Sequence, residues 1–116
     1  MLTRQEAIAL CMTWPGAWED YPFHDANWTV IRRGDTKKGF AWIFEREGRI
    51  WINLKADPGW ADVWKNTWSS VLPAYHMNKL HWISVILDGS VPDEMITAMI
   101  GMSFRLCGPG ETRAHR

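Results

Sequence analysis

The chain has 116 residues, enough for one domain core and too few for a second independent one. Its 47% hydrophobic and 22% charged residues exclude both a core-poor disordered chain and an apolar membrane protein. Thirteen basic and thirteen acidic side chains cancel, so nucleic acid or an anionic surface would have to be met by a local patch and not by the molecule's overall field.

The opening MLTRQEAIAL lacks the basic flank and apolar stretch of a signal peptide, and no apolar run reaches the roughly 18 residues that would suggest a membrane span. A cytoplasmic protein with no membrane association is expected. Thr3-Arg4-Gln5-Glu6 reads as a capping box, and Ala7, Ile8, Cys11 and Met12 follow at helical spacing, which predicts a first helix from about Arg4 to Thr13. Pro15-Gly16 stops it. The stretch from Trp18 to Phe23, with Pro22 inside it, suits a short edge strand or loop.

Three runs rich in Trp, Ile, Val and Phe come next, at Trp28 to Arg33, Phe40 to Arg46 and Arg49 to Lys55. Separated by turns that contain glycine, they predict an antiparallel meander. Glu47-Gly48 can serve as a two-residue hairpin turn, pairing Arg46 with Arg49. That register sets Ile43 opposite Ile52 and Ala41 opposite Leu54, an aliphatic face for helices to cover. Phe40, Trp42, Phe44, Trp51, Asn53 and Lys55 fall on the other face, expected to be an aromatic surface left at least partly open. Nine tryptophans, more than a core of this size requires, agree with an exposed aromatic surface.

Asp57-Pro58 is an N-cap followed by proline at the first helical position, and Trp60, Ala61, Trp64 and Trp68 recur at helical spacing, predicting a second helix over roughly Pro58 to Trp68. A loop is expected around Pro73, then a strand from Trp82 to Leu87. Ser90, Pro92 and Asp93 start a last helix that packs through Ile96, Met99, Ile100, Ser103 and Phe104 and ends at Gly108. The fold class expected is α+β, a two-layer sandwich of antiparallel sheet and helices on one face. One domain would occupy residues 1–107, with a flexible tail over 108–116.

The segment Tyr75-His76-Met77-Asn78-Lys79-Leu80-His81-Trp82 gathers two imidazoles, an ammonium and an amide where a loop enters a strand. Those groups suit an anionic ligand, with His76, Asn78, Lys79, His81 and Trp82 as candidate binding residues and Lys55, Asn78, Lys79 and His81 meeting in one concavity. Against that, His76 and Asn78 could simply tie down a long loop. The histidine spacing matches no metal signature, no GxSxG surrounds any serine, and no glycine-rich nucleotide loop is present. No catalytic residue, metal or cofactor is therefore assigned, and a non-enzymatic binding domain is expected. Cys11 and Cys107 stand outside any ligand-spaced set and read as buried reduced thiols.

Arg32, Arg33, Lys37 and Lys38 surround one hairpin turn against a single Asp35, and Lys55 ends a neighbouring strand. Basic hairpin tips beside aromatic rings can hold phosphates and stack on bases, which makes DNA the leading partner. The alternative is an adaptor that binds a protein or a small anionic ligand through the aromatic face and the YHMNKLHW segment.

In order, PGAWEDYPF, WTVIRR, FAWIFER, INLKADP, YHMNKLHW, ILDG and SFRL resemble the MmcQ/YjbR family over almost the whole chain, from the first helix to about Leu106. The resemblance implies a CyaY-like fold and a small bacterial protein of a kind often described as DNA-binding from a double-wing similarity. The matching positions are Pro22, Phe23, Lys55, Asp57, Pro58, His76, Asn78, Lys79, His81 and Trp82. Many members have glycine after the Pro-Phe pair and a tighter Gly-Lys turn; here His24 follows Phe23, and the turn is Gly34-Asp35-Thr36-Lys37-Lys38-Gly39.

Overall fold

A computed structural model describes residues 1–110. Three helices, α1 (Arg4–Cys11), α2 (Pro58–Thr67) and α3 (Asp93–Leu106), accompany six strands: β1 (Trp18–Asp20), β2 (Thr29–Arg32), β3 (Gly39–Arg46), β4 (Arg49–Lys55), β5 (Val71–Pro73) and β6 (Trp82–Ile86). The strands form one antiparallel sheet in the order β1-β2-β3-β4-β6-β5. The architecture is the α+β sheet with helices on one face that the sequence predicts.

Local chemistry explains the element ends. Thr3 and Glu6 complete the capping box of α1, and the Asp57 carboxylate accepts from Gly59 and Trp60 at the start of α2. At the β3–β4 turn both Glu47 (φ 56°) and Gly48 (φ 74°) are left-handed, as a type I′ hairpin requires. The resulting register pairs Arg46 with Arg49, Ile43 with Ile52 and Ala41 with Leu54, as expected. The short β5 replaces the loop expected around Pro73. It is three residues long and ends on proline, too short to show a period.

The helices cover one face. Ala7 and Cys11 from α1, Ala61 and Trp64 from α2, and Ile96, Met99, Ile100 and Phe104 from α3 pack on Ile31, Ala41, Ile43, Ile52, Leu54, Ile83 and Val85 of the sheet. Both thiols are buried, and burial pushes Cys11 up to about 12 and raises Cys107. Ser103 stitches α3 to the sheet: its hydroxyl donates to Phe40 O at 2.6 Å and accepts from Lys55 N at 2.8 Å.

Phe40 corrects the expected facing. A β-bulge lets Arg32 pair with Gly39 and Ile31 with Ala41, so Phe40 is the extra residue and turns to the helix side, 5.1 Å from the Phe104 ring. Most of the aromatic face is also covered. Phe44, Trp51 and Asn53 are buried beneath Trp28, Leu72 and Tyr75, and of the expected surface rings only Trp42 keeps partial exposure. Gly108 is buried, and residues 111–116, most of the expected tail, lie outside the described residues.

Candidate functional site: an aromatic cleft on the helix-free face

Two loops cross the helix-free face of the sheet, and a cleft of about 530 Å³ lies between them, lined by Phe23, Asp25, Trp28, Trp42, His76 and Met77. Its size falls within the range of small-molecule sites.

The first loop joins β1 to β2. Asn27 anchors it by extending the ladder: its amide nitrogen donates to Glu45 O at 3.0 Å and its Oδ1 accepts from Glu45 N at 2.8 Å. The Arg4 guanidinium, reaching from α1, donates to Asn27 O and to Thr29 Oγ1. Asp25 Oδ1 accepts from Asn27 N at 3.0 Å, which turns the loop. Trp28 then stacks on Phe44 with 4.2 Å between centroids, while Phe23 stands 6.2 Å from Trp28 at a steep 81° and 6.4 Å from Trp42.

The second loop joins β5 to β6. Asn53 and Ser84, both fully buried on adjacent strands, hold its start: Asn53 Nδ2 donates to Tyr75 O at 2.8 Å, Tyr75 N donates to Ser84 Oγ at 2.8 Å, and Ser84 Oγ donates to Asn53 Oδ1. Every polar group in this triangle has a partner, which makes the loop's footing rigid. The next residue, His76, has φ 62° and packs its ring 4.1 Å from that of Tyr75. A left-handed histidine at the mouth of a cleft is the kind of backbone strain that accumulates at binding sites.

Trp42 forms the floor. Its indole N–H donates to Gly39 O at 3.3 Å, and the approach is close enough that a Cβ on Gly39 would lie 2.6 Å from Val30 and 3.0 Å from the Trp42 ring. At the far end of the same aromatic layer, the Arg46 guanidinium lies 4.4 Å from the Tyr75 centroid and 5.0 Å from that of Trp51.

The candidates from the sequence divide among several places. Of the YHMNKLHW segment, His76 and Met77 line the cleft. Asn78 caps its own loop by accepting from Leu80 N and His81 N, Lys79 donates to Ala74 O at 2.7 Å, His81 O accepts from Ala56 N, and Trp82 packs against the helix-side core. None of Lys55, Asn78, Lys79 and His81 lines the cleft.

The basic hairpin between β2 and β3 is folded down onto α3. Arg33 pairs with Asp35 at 2.8 Å, donates to Phe104 O at 2.7 Å and stacks on the Phe104 ring at 3.9 Å, while Thr36 Oγ1 donates to Cys107 O. Arg33 and Thr36 thereby satisfy carbonyls at the negative end of the helix. Arg32 is held by Asp20 at 2.6 Å and by Lys37 O. Lys37 and Lys38 remain exposed.

Asp25, Trp28 and Met77 are cleft residues that sequence reasoning did not single out. The signal for the first was the Asp-Ala-Asn turn before a tryptophan. Among the described residues no group of three His, Cys, Asp or Glu could hold a metal ion, and no helix is long and apolar enough to cross a membrane.

The sheet order, the helices confined to one face and the clamped β5–β6 loop define a small α+β domain of one recognisable kind. The YjbR family model matches residues 12–106, and the chain belongs to that family. It is 36% identical over 104 residues to the Escherichia coli K12 protein YjbR, covering 90% of this chain and 86% of that one. It is 33% identical over 117 residues to Bacillus subtilis YyaQ, covering 91% and 98% respectively. The crystal structure of the Deinococcus radiodurans protein DR2400, with domain DUF419, superposes with a TM-score of 0.84 at 29% identity, over 100% of this chain and 86% of that one. A Pseudomonas syringae protein superposes with a TM-score of 0.83 at 27% identity, over 92% and 100%.

Proposed function

We propose that the chain is a non-enzymatic binding domain whose ligand is a small molecule seated in the aromatic cleft. The observation that carries this reading is the construction of the cleft. Two independently anchored loops, one fixed by Asn27 and the other by Asn53 and Ser84, hold ring walls and two polar side chains, Asp25 and His76, around about 530 Å³. A preformed apolar cavity with a few convergent polar groups is the usual form of a ligand site. Of the residues proposed from the sequence for a ligand, His76 is the one this reading keeps as a direct contact.

Nucleic-acid binding is a second reading, favoured by the exposure of Lys37 and Lys38 at the hairpin tip, with Lys55 on the adjoining strand end. Arg32 and Arg33 weigh against it, because each is already engaged within the fold. Freeing Arg33 for phosphate would cost its α3 contacts, and freeing Arg32 would cost its pair with Asp20.

A fragment screen followed through the indole N–H signals of the uniformly ¹⁵N-labelled chain tests the proposal. Ligand-induced shifts are expected at Trp28, Trp42 and residues 75–77. Shifts confined to residues 33–38 would overturn it.

A further inference from the structure

We infer that the cleft selects organic cations, an ammonium or quaternary amine carried on a small apolar body. This inference rests on the reading of the cleft as a ligand site. Three rings line the cleft, and the 81° angle between Phe23 and Trp28 gives it walls in two directions instead of a single stacking plane. A cation lying within about 6 Å of such ring centroids is attracted by their negative faces, most strongly by tryptophan.

The charge on the lining points the same way. Asp25 spends one carboxylate oxygen on Asn27 N, and among the described residues no lysine, arginine or histidine forms an ion pair with it. The cleft thus combines an uncompensated carboxylate with aromatic walls, the composition that disfavours an anion and suits a soft cation. His76, the other ionisable lining residue, can accept a hydrogen bond from an ammonium N–H or donate one to a hydroxyl on the ligand body. Met77 adds a polarizable thioether surface.

The fold supplies its own precedent. Arg46 lies over Tyr75 and Trp51 while pairing with Glu47 at 2.8 Å, so one end of the aromatic layer already carries a cation. The other end of that layer, at Trp28 and Trp42, offers the same π surface with a carboxylate beside it and space above.

The test uses choline, its neutral carbon isostere 3,3-dimethylbutan-1-ol, and the anion benzoate, each titrated into the full chain while the Trp28 and Trp42 indole signals are followed. Choline is expected to bind roughly 3- to 30-fold more tightly than the isostere. Asp25→Asn should weaken choline about 2- to 5-fold and leave the isostere unchanged. Equal binding of choline and isostere, or tighter binding of benzoate, overturns the cation assignment while leaving the cleft as a ligand site. No shift of either indole with any of the three at tens of millimolar, with chemical shifts elsewhere showing a folded chain, overturns both.

Discussion

The Ser84 hydroxyl donates to Asn53 Oδ1 at the centre of the sheet, and that contact fixes where His76 stands. Asn53 also donates to Tyr75 O and Ser84 accepts from Tyr75 N, so both backbone polar groups of the residue before His76 are held by β4 and β6. Asn53→Leu should cost about 1–3 kcal/mol for each group it orphans, since buried polar atoms that lose their partner keep their desolvation penalty. Chemical denaturation should show the loss, with accelerated hydrogen exchange concentrated at residues 75–77. Unchanged stability would mean that the β5–β6 loop is held by other contacts.

His76 itself separates structure from function. Its left-handed backbone suits glycine, so His76→Gly is expected to fold with stability within about 1 kcal/mol of the parent. Ligand affinity should nonetheless fall. Thermal melting and an indole-monitored titration of the same sample check both halves, and a variant that binds as well as the parent would remove His76 from the site.

How much of this was visible in the chain depends on range. The β3–β4 register followed from Glu47-Gly48 because a two-residue turn leaves one pairing, and the N-caps at Thr3 and Asp57 are likewise local. Phe40 was misplaced because the bulge beside it depends on β2, which no pattern within β3 reports. The cleft was half legible: Trp42 and His76 stood out by residue type, whereas Asp25 and Trp28 join them only through the Asn27 pairing with Glu45, across 18 residues. The docking of the basic hairpin was hidden for a related reason, since Arg33 meets its carbonyl partner 71 residues away.

Gly39 is expected to tolerate no side chain. A Cβ would sit 2.6 Å from the methyl of the fully buried Val30 and 3.0 Å from the Trp42 ring. Gly39→Ala should destabilise by about 1–3 kcal/mol. It should also displace the Trp42 indole signal, because that N–H rests on the Gly39 carbonyl. A variant with the parent's melting temperature and indole shift would contradict the packing described.

The Arg33–Asp35 pair should make hairpin docking sensitive to acid. Hydrogen bonding from Arg33 lowers the Asp35 carboxyl from 3.8 to about 2, helped by Thr36 N. A depressed carboxyl contributes stability that is present in full above its ordinary value and is lost as pH falls toward the folded one. As pH falls from about 4 to about 2, the amides of residues 34–38 should lose protection before the sheet does. Asp35→Asn should show that loosened hairpin at neutral pH. An Asp35 carboxyl titrating at its ordinary value by NMR would refute the pairing.

Substitutions at the hairpin also separate the two readings of function. Arg32→Ala with Arg33→Ala should lower stability, since Asp20, Phe104 O and Lys37 O lose their partners. Lys37→Ala with Lys38→Ala should leave stability within about 0.5 kcal/mol. Fluorescence anisotropy with duplex DNA at low salt is expected to show no binding that depends on either pair. Salt-sensitive binding abolished by the lysine changes would instead favour nucleic acid.

Whether the aromatic cleft is where this domain takes its ligand can be read from a crystal structure of the full chain grown with the fragment that most perturbs the indole signals. The fragment is expected between Trp28 and Trp42, with its polar group turned toward Asp25 or His76. A fragment seated on the β2–β3 hairpin or the helix face, with the cleft left empty, would contradict it.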